Sequence, residues 1–389
     1  MTDHCPVCGA GEPRGLLTLE DMPVLCNQLW PDRESARGAP RGDIVLALCG
    51  TCGHVWNRHF DPARMVYSPG YENALHHSPV FRRFAEDLAD HLVRAHELPG
   101  RHVVEIGCGD GYMLDLLVAR GAASATGFDP SMKGRRTPFA ERAGVQIVPA
   151  LFDERQLDRD FDIVICRHVL EHLEAPRALL AAIRGAIGDR DVPVYFEVPN
   201  AEWMMAANSI WDVIYEHVGY WSAASIGTAF HRAAFELTSV RTGYGGQFLM
   251  VEGRPRGPGS GPDAETPPDG TVALAERFRI AADRELAAWR ARLGGLAGAA
   301  VVWGAGSKGI TFANAMGAAG HGRIAAMVDL NPRKHGAFVP GAALEVVAPD
   351  ALRVIRPDLV LVSNALYRDE IVRMLGEAGL TPEVEVIAG

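Results

Sequence analysis

The chain has no uninterrupted apolar run long enough to span a bilayer, no block of Lys or Arg, and no basic-then-apolar opening. The first absence argues against a membrane helix. The second argues against a nucleic-acid partner, because phosphate neutralisation drives such binding and the formal net charge here is -10. The third is read from "MTDHCPVCGA", which does not look like a signal peptide and places the protein in the cytoplasm. In that reducing compartment the seven cysteines are not expected to form disulfides. No short-period repeat is visible. What is present is ordinary globular composition, 48% hydrophobic and 22% charged, over 389 residues, which is enough for two to three domains.

Four of the cysteines are paired near the start, as Cys5-x2-Cys8 in "CPVCG" and Cys49-x2-Cys52 in "CGTCG". Each pair can form a knuckle that aims two thiolates at one point, and two knuckles make a closed tetrahedral site. This predicts structural Zn2+ on Cys5, Cys8, Cys49 and Cys52. Cys26, Cys108 and Cys166 read as small buried hydrophobes.

The spacing of Phe81, Phe84, Leu88, Leu92 and Val93 predicts an amphipathic helix ended by Pro99-Gly100. Strand and helix patterns then alternate through "HVVEIG", "YMLDLLVARG", "SATGFDP", "VQIVPA", "FDIVICRHVLEHL" and "VPVYFEVPN". The expected fold is α/β with a parallel, doubly wound (Rossmann-like) sheet. The aromatic-rich stretch from Ala201 to Ala234 reads as an insertion or lid. A Gly/Pro-rich linker runs from Gly253 to Gly270. After it come a helix at about 271–293 and a second, smaller α/β unit. The expected domains are a zinc-binding unit (1–70), a core (71–253), a linker and helix (254–293) and a C-terminal Rossmann-like unit (294–389).

"EIGCGDG" follows the first core strand. Glycines there let backbone approach a ligand, and Asp129, at the end of the next strand, can accept both hydroxyls of a ribose. The glycines are spaced two apart, unlike the G-x-G-x-x-G of dinucleotide sites. Glu105 and Asp110 would repel a pyrophosphate but suit a sulfonium and an α-amino group. The stretch resembles the first motif of class I S-adenosylmethionine-dependent methyltransferases. That resemblance assigns Glu105, Gly107, Gly109 and Asp110 to the methionine end of the cofactor and Asp129 to the ribose. It also places the adenine wall near Phe152.

"GAGSKG", Gly304 to Gly309, does fit G-x-G-x-x-G and has Asp329 downstream. The unit is only about half of a full dinucleotide fold. A mononucleotide or a nucleotide-sugar diphosphate could use the same helix N-terminus, with Lys308 adding positive charge. An NAD-dependent oxidoreductase built on this turn, and a zinc-ribbon binding module with a degenerate core, are the readings from other classes.

The full order of cysteine knuckles, "EIGCGDG", "VLEHL", "YEHVGYWS" and "WGAGSKGITFAN…VDLNPRKHGAFVPG…NALYRDEI" resembles the S-adenosylmethionine-dependent C-methyltransferases of nucleotide-linked deoxysugars. The family's usual "EEH" stands here as Tyr215-Glu216-His217, and its "NPIY" as "NALY". The resemblance implies a dTDP-4-keto-deoxysugar substrate, held in part by the C-terminal unit. A methyltransferase of the same architecture acting on oxygen or nitrogen is the near alternative. A sugar carbon becomes a nucleophile only when a base removes a proton next to the ketone, and His suits that base. His217 is the expected base, with His172 the second candidate. Glu216 would orient His217, and Tyr215 would donate to the enolate oxygen. His168, Asn200, Tyr220 and His231 are possible substrate contacts.

Overall fold

The apolar runs fold into three sheets in the computed structural model, which describes residues 3–65, 75–153, 155, 160–257 and 268–387. β1 (Arg14–Pro23), β2 (Arg41–Leu48) and β3 (Val55–Asn57) pair antiparallel beside the four cysteines.

The middle of the chain supplies β4 (His102–Ile106), β5 (Ser124–Phe128), β6 (Val145–Val148), β7 (Ile163–Arg167) and β8 (Val194–Pro199). All are parallel. β4 and β7 are buried along nearly their whole length, as expected for parallel strands covered on both faces. The predicted amphipathic helix runs Pro79–Ala95. Ser78 caps it, and Phe81, Ala85, Leu88, Ala89 and Leu92 form its buried stripe. That stripe meets Leu114 and Leu117 of the helix Tyr112–Ala119.

The predicted insertion divides: its helix Ala223–Arg232 packs on the central sheet through Ile226, Ala229 and Phe230, while the stretch before it leaves the core. Its two-residue β9 (Gly219–Tyr220) pairs with β3 through Val55–Tyr220 and Trp56–Gly219, completing a four-stranded sheet with the N-terminal unit. β10 (Phe235–Gly243) and β11 (Phe248–Pro255) finish the central sheet in the order β10-β11-β8-β7-β4-β5-β6, with β11 antiparallel to both neighbours. The order reverses at β4, so a crevice opens at the carboxyl ends of β4 and β7.

Of the Gly/Pro-rich linker, residues 258–267 lie outside the described residues. The helix Asp269–Gly294 follows. β12 (Ala300–Trp303), β13 (Ile324–Val328), β14 (Val346–Val347), β15 (Leu359–Val362) and β16 (Glu383–Val386) then form an all-parallel sheet, ordered β14-β13-β12-β15-β16. This unit shares one apolar core with the N-terminal sheet: Ile44, Leu46, Trp211, Phe278, Trp289, Phe312 and Leu361 belong to a single cluster. Trp211 Nε1 donates to the carbonyl of Ile387 at 2.7 Å inside it. Among the described residues, no helix is long and apolar enough to cross a membrane.

Candidate active site

The four predicted zinc ligands converge. Cys5 Sγ lies 3.6 Å from Cys52 Sγ and Cys8 Sγ 3.5 Å from Cys49 Sγ, with all four within 4.8 Å of one another. Thiolates around zinc at about 2.3 Å stand about 3.8 Å apart, whereas disulfide sulfurs sit at about 2.05 Å. The set therefore fits a tetrahedral ion. Gly9 and Gly53 follow the knuckles at φ 78 and 73, and their N–H groups bond back to the carbonyls of Cys5 and Cys49. Glycine accepts that left-handed turn without strain.

The first glycine turn leaves β4 at the crevice. Gly107 has φ 73, and a Cβ there would overlap the Val169 side chain. A Cβ on Gly109 would meet nothing, so its surface faces open space. Glu105 is buried, and burial pushes its carboxyl up to about 7 against the pull of Arg167. Its Oε2 has no hydrogen-bond partner among the described residues. Asp129 ends β5, and its Oδ2 accepts the Gly109 N–H at 2.8 Å while Oδ1 accepts from Ser131. Phe152 lies edge-on to Phe128, ring centroids 5.3 Å apart. A buried acid with one unpartnered oxygen, an open glycine floor and an acid at the second strand's end fit S-adenosylmethionine. Asp110 lies 3.9 Å from Arg333 of the C-terminal unit, which thus reaches over this turn.

The second turn is built the same way. Asp329 Oδ2 accepts the Ala305 N–H at 3.0 Å and Oδ1 that of Asn331. Lys334 Nζ ties the arrangement to the Ala305 carbonyl at 2.8 Å. Lys308 crosses to the core, bonding Gln247 Oε1 at 2.8 Å and pairing with Asp212 at 3.1 Å.

A cavity of about 330 Å³ lies between the two units. One wall carries His168, Glu171, His172, Glu216 and His217; the other carries Gly304, Lys308, Lys334 and Asn364. The short turn Leu170–His172 after β7 presents Glu171 and His172, and His168 stands just before it. His168 has φ 53, a conformation that costs a non-glycine residue about 1–3 kcal/mol and clusters at functional sites. Its Nε2 meets Glu197 Oε1 at 2.9 Å, and its Nδ1 lies 3.4 Å from Glu171. Burial alone would lower its pKa, but the two carboxylates hold it up to about 9, so it is a cation at neutral pH. Arg167 extends the chain of charge back to Glu105, 3.2 Å from Glu197 and 3.6 Å from Glu105.

His217 is opposite in character. Burial, then neighbouring His172, hold its imidazole down at about 3, so its lone pair is available at neutral pH. The rings of His172 and His217 meet edge to face at 4.9 Å. Glu171, His172 and His217 each bring a ligand-type atom within 4.8 Å of the others.

Two expected roles do not match this geometry. Tyr215 is not in the cavity wall: its ring lies over Gly42, and its hydroxyl accepts the Asp61 N–H at 2.9 Å and donates to the His59 carbonyl at 3.5 Å, away from any substrate oxygen in the cavity. Glu216 does line the cavity, but its Oε1 takes the Cys26 N–H at 2.6 Å, and it is its backbone carbonyl that contacts a histidine, His172. The carboxylate beside His217 is Glu171, which the sequence reading did not single out. The signal was available in "HVLEH", where Glu171 sits three residues after one histidine and one before the next.

Residues 79–240 match the family model described as "Methyltransferase domain", and residues 285–379 match "C-methyltransferase C-terminal domain". The ubiquinone biosynthesis O-methyltransferase of Pasteurella multocida is 28% identical over 122 residues, 28% of this chain and 50% of that protein. The tRNA U34 carboxymethyltransferase of Aeromonas hydrophila is 32% identical over 98 residues, 24% of this chain and 30% of that protein. The chain thus spans half or less of the length of these curated relatives. Among solved structures, magnesium protoporphyrin IX methyltransferase from Synechocystis with bound S-adenosylhomocysteine has 19% identity and a TM-score of 0.36, covering 46% of this chain and 84% of that one. Strand order, glycine turn and domain match agree: the chain carries a methyltransferase domain, residues 79–240, on the class I α/β fold. More particularly, it joins that domain to a C-methyltransferase C-terminal domain.

Proposed function

We propose that the protein is a C-methyltransferase of a nucleotide-linked keto-deoxysugar. The observation that carries this reading is the shared cavity. Its first wall offers a neutral, half-buried histidine, and its second offers a glycine turn at the start of the helix Ser307–Gly320, whose N–H groups suit a phosphate. Zn2+ held by Cys5, Cys8, Cys49 and Cys52 would brace the N-terminal sheet to which β9 belongs, and β9 ends the segment carrying His217.

Glu105, Gly107, Gly109, Asp110 and Asp129, beside Phe152, would hold S-adenosylmethionine, which would supply an electrophilic methyl group. His217 removes the proton on the carbon next to the sugar ketone, and the C–H pair becomes the enolate double bond. The carbonyl pair moves to oxygen, whose developing charge calls for a donor. The carbon so activated is the nucleophile that an in-line methyl donor would require. His172 is the second proton-carrying group of the site. Enclosure of both reactants between the units holds them in line.

The test is incubation of zinc-loaded protein with S-adenosylmethionine and a panel of dTDP-4-keto-deoxysugars. S-adenosylhomocysteine is measured and the new methyl located by NMR. Methyl on a carbon adjacent to the ketone supports the reading. Methyl on oxygen or nitrogen sinks the enolate step while leaving the methyltransferase class intact.

A further inference from the structure

We propose that Glu171 is the positioning carboxylate of His217, and that His168 is there to hold Glu171 in that task. The inference rests on the reading of His217 as base. A base that takes a proton becomes an imidazolium, and inside a closed cavity that cation needs a fixed counter-charge. Glu216, the sequence neighbour, is committed to the Cys26 N–H at 2.6 Å. Glu171 is 1% exposed, lines the cavity and has its carboxylate within 4.8 Å of His217. Its Oε2 has no hydrogen-bond partner among the described residues. A buried carboxylate with an unpartnered oxygen is costly and asks for an explanation. A proton arriving on His217 supplies one.

The groups facing Glu171 are His168, His172, His217 and the Cys166 thiol. Burial works against the Glu171 carboxylate, yet His168 holds it below the usual carboxylate range. His168 in turn is clamped by Glu197, which Arg167 and Tyr195 also bind. The order Glu197–His168–Glu171–His217 thus alternates acid and base from the core of β8 to the cavity.

The experiment compares E171Q, E171D and H168Q with the wild-type holoenzyme, using the dTDP-4-keto-deoxysugar that the panel identifies. Zinc content, melting temperature and S-adenosylhomocysteine affinity are measured on each. We expect E171Q to lose about 100-fold in kcat with KM within about twofold, since positioned acid–base groups contribute on the order of 10²–10⁴. E171D should recover part of that loss. H168Q should move the acid limb of the kcat–pH profile to higher pH, because Glu171 loses the cation that holds it ionised.

Full kcat in E171Q, or an acid limb that H168Q leaves in place, overturns the inference. So does activity that a chelator removes and Mg2+ or Mn2+ restores while the cysteine-bound zinc stays: Glu171, His172 and His217 would then be cation ligands. A wild-type protein that turns over none of the panel, or methylates oxygen or nitrogen, instead rejects the proposed function, a result readable before any variant is made.

Discussion

His172 Nδ1 lies 2.9 Å from the backbone carbonyl of Glu216. A carbonyl only accepts, so Nδ1 is the donor in this bond. The bond ties the turn after β7 to the segment bearing His217, and it sets the two rings edge to face. His172→Asn keeps a donor near the Nδ1 position but removes the basic nitrogen. We expect it to fold normally and to lose about tenfold in kcat. His217→Ala should lose about 10²–10⁴-fold, the range for a positioned base. Single-turnover formation of S-adenosylhomocysteine measures both, and equal losses would show that the two histidines share the base role.

Gly107→Ala places a methyl against Val169 in a backbone at φ 73. Left-handed strain and overpacking act together, and each costs about 1–3 kcal/mol. Titration with S-adenosylhomocysteine should show binding lost or weakened at least tenfold. Gly109→Ala meets no protein atom, although it too has positive φ. Its stability should fall less than that of Gly107→Ala, and its loss should concentrate in cofactor affinity.

The buried ion network gives the stability–pH curve two flanks. His168 is raised to about 9 from an unfolded value near about 6.5. Its contribution is therefore complete below about 6.5 and disappears as pH rises through about 9. Glu197 goes the other way. Burial opposes its charge, but Arg167 and then His168 hold it at about 2, so its contribution is present above about 4.3 and is lost as pH falls through about 2. Melting temperatures from pH 3 to pH 10 should trace both flanks, and H168Q should flatten the alkaline one.

The cysteine site makes a separate prediction. Cys49→Ser should lower bound zinc from one equivalent and lower the melting temperature. It should also reduce kcat, because β3 pairs with β9 through Val55 and Trp56 and the His217 segment depends on that pairing. Elemental analysis with a melt on one sample checks it. Unchanged turnover in a zinc-free, folded variant would separate the metal from the active site.

Local patterns carried most of the fold. The strands "HVVEIG" and "FDIVICR" are apolar runs that only a two-face-covered sheet can bury, and the Phe81–Leu92 stripe has a single helical reading. The knuckle glycines announced their left-handed turns. The sequence could not show β9 leaving the core to join β3, because a two-residue strand has no period to detect. The same limit misplaced Tyr215. Nothing in "YEHVGYW" tells that the tyrosine turns toward Gly42 and Asp61 while His217, two residues on, faces the cavity. Glu171 was hidden for a different reason: its partners, His168 and His217, are brought together only by packing of the turn after β7 against the 215–220 segment.

Lys308 links the second glycine turn to the methyltransferase core, and its contacts separate a structural role from a binding one. Its ammonium pairs with Asp212 at 3.1 Å, bonds Gln247 at 2.8 Å and lies 4.7 Å above the Trp203 ring. Lys308→Met keeps the stem but leaves Asp212 without its cation, at a cost of about 1–3 kcal/mol. Lys308→Met/Asp212→Asn removes that orphaned charge as well, so it should recover most of the stability. If Lys308 only braces the units, the double variant should recover turnover too. If it also meets substrate phosphate, KM for the nucleotide-linked sugar should stay raised by about tenfold in the double variant, while S-adenosylhomocysteine affinity is unchanged. We expect the second pattern. The ammonium lines the cavity within the turn that opens the helix Ser307–Gly320, where a phosphate would meet both the helix N–H groups and a positive charge.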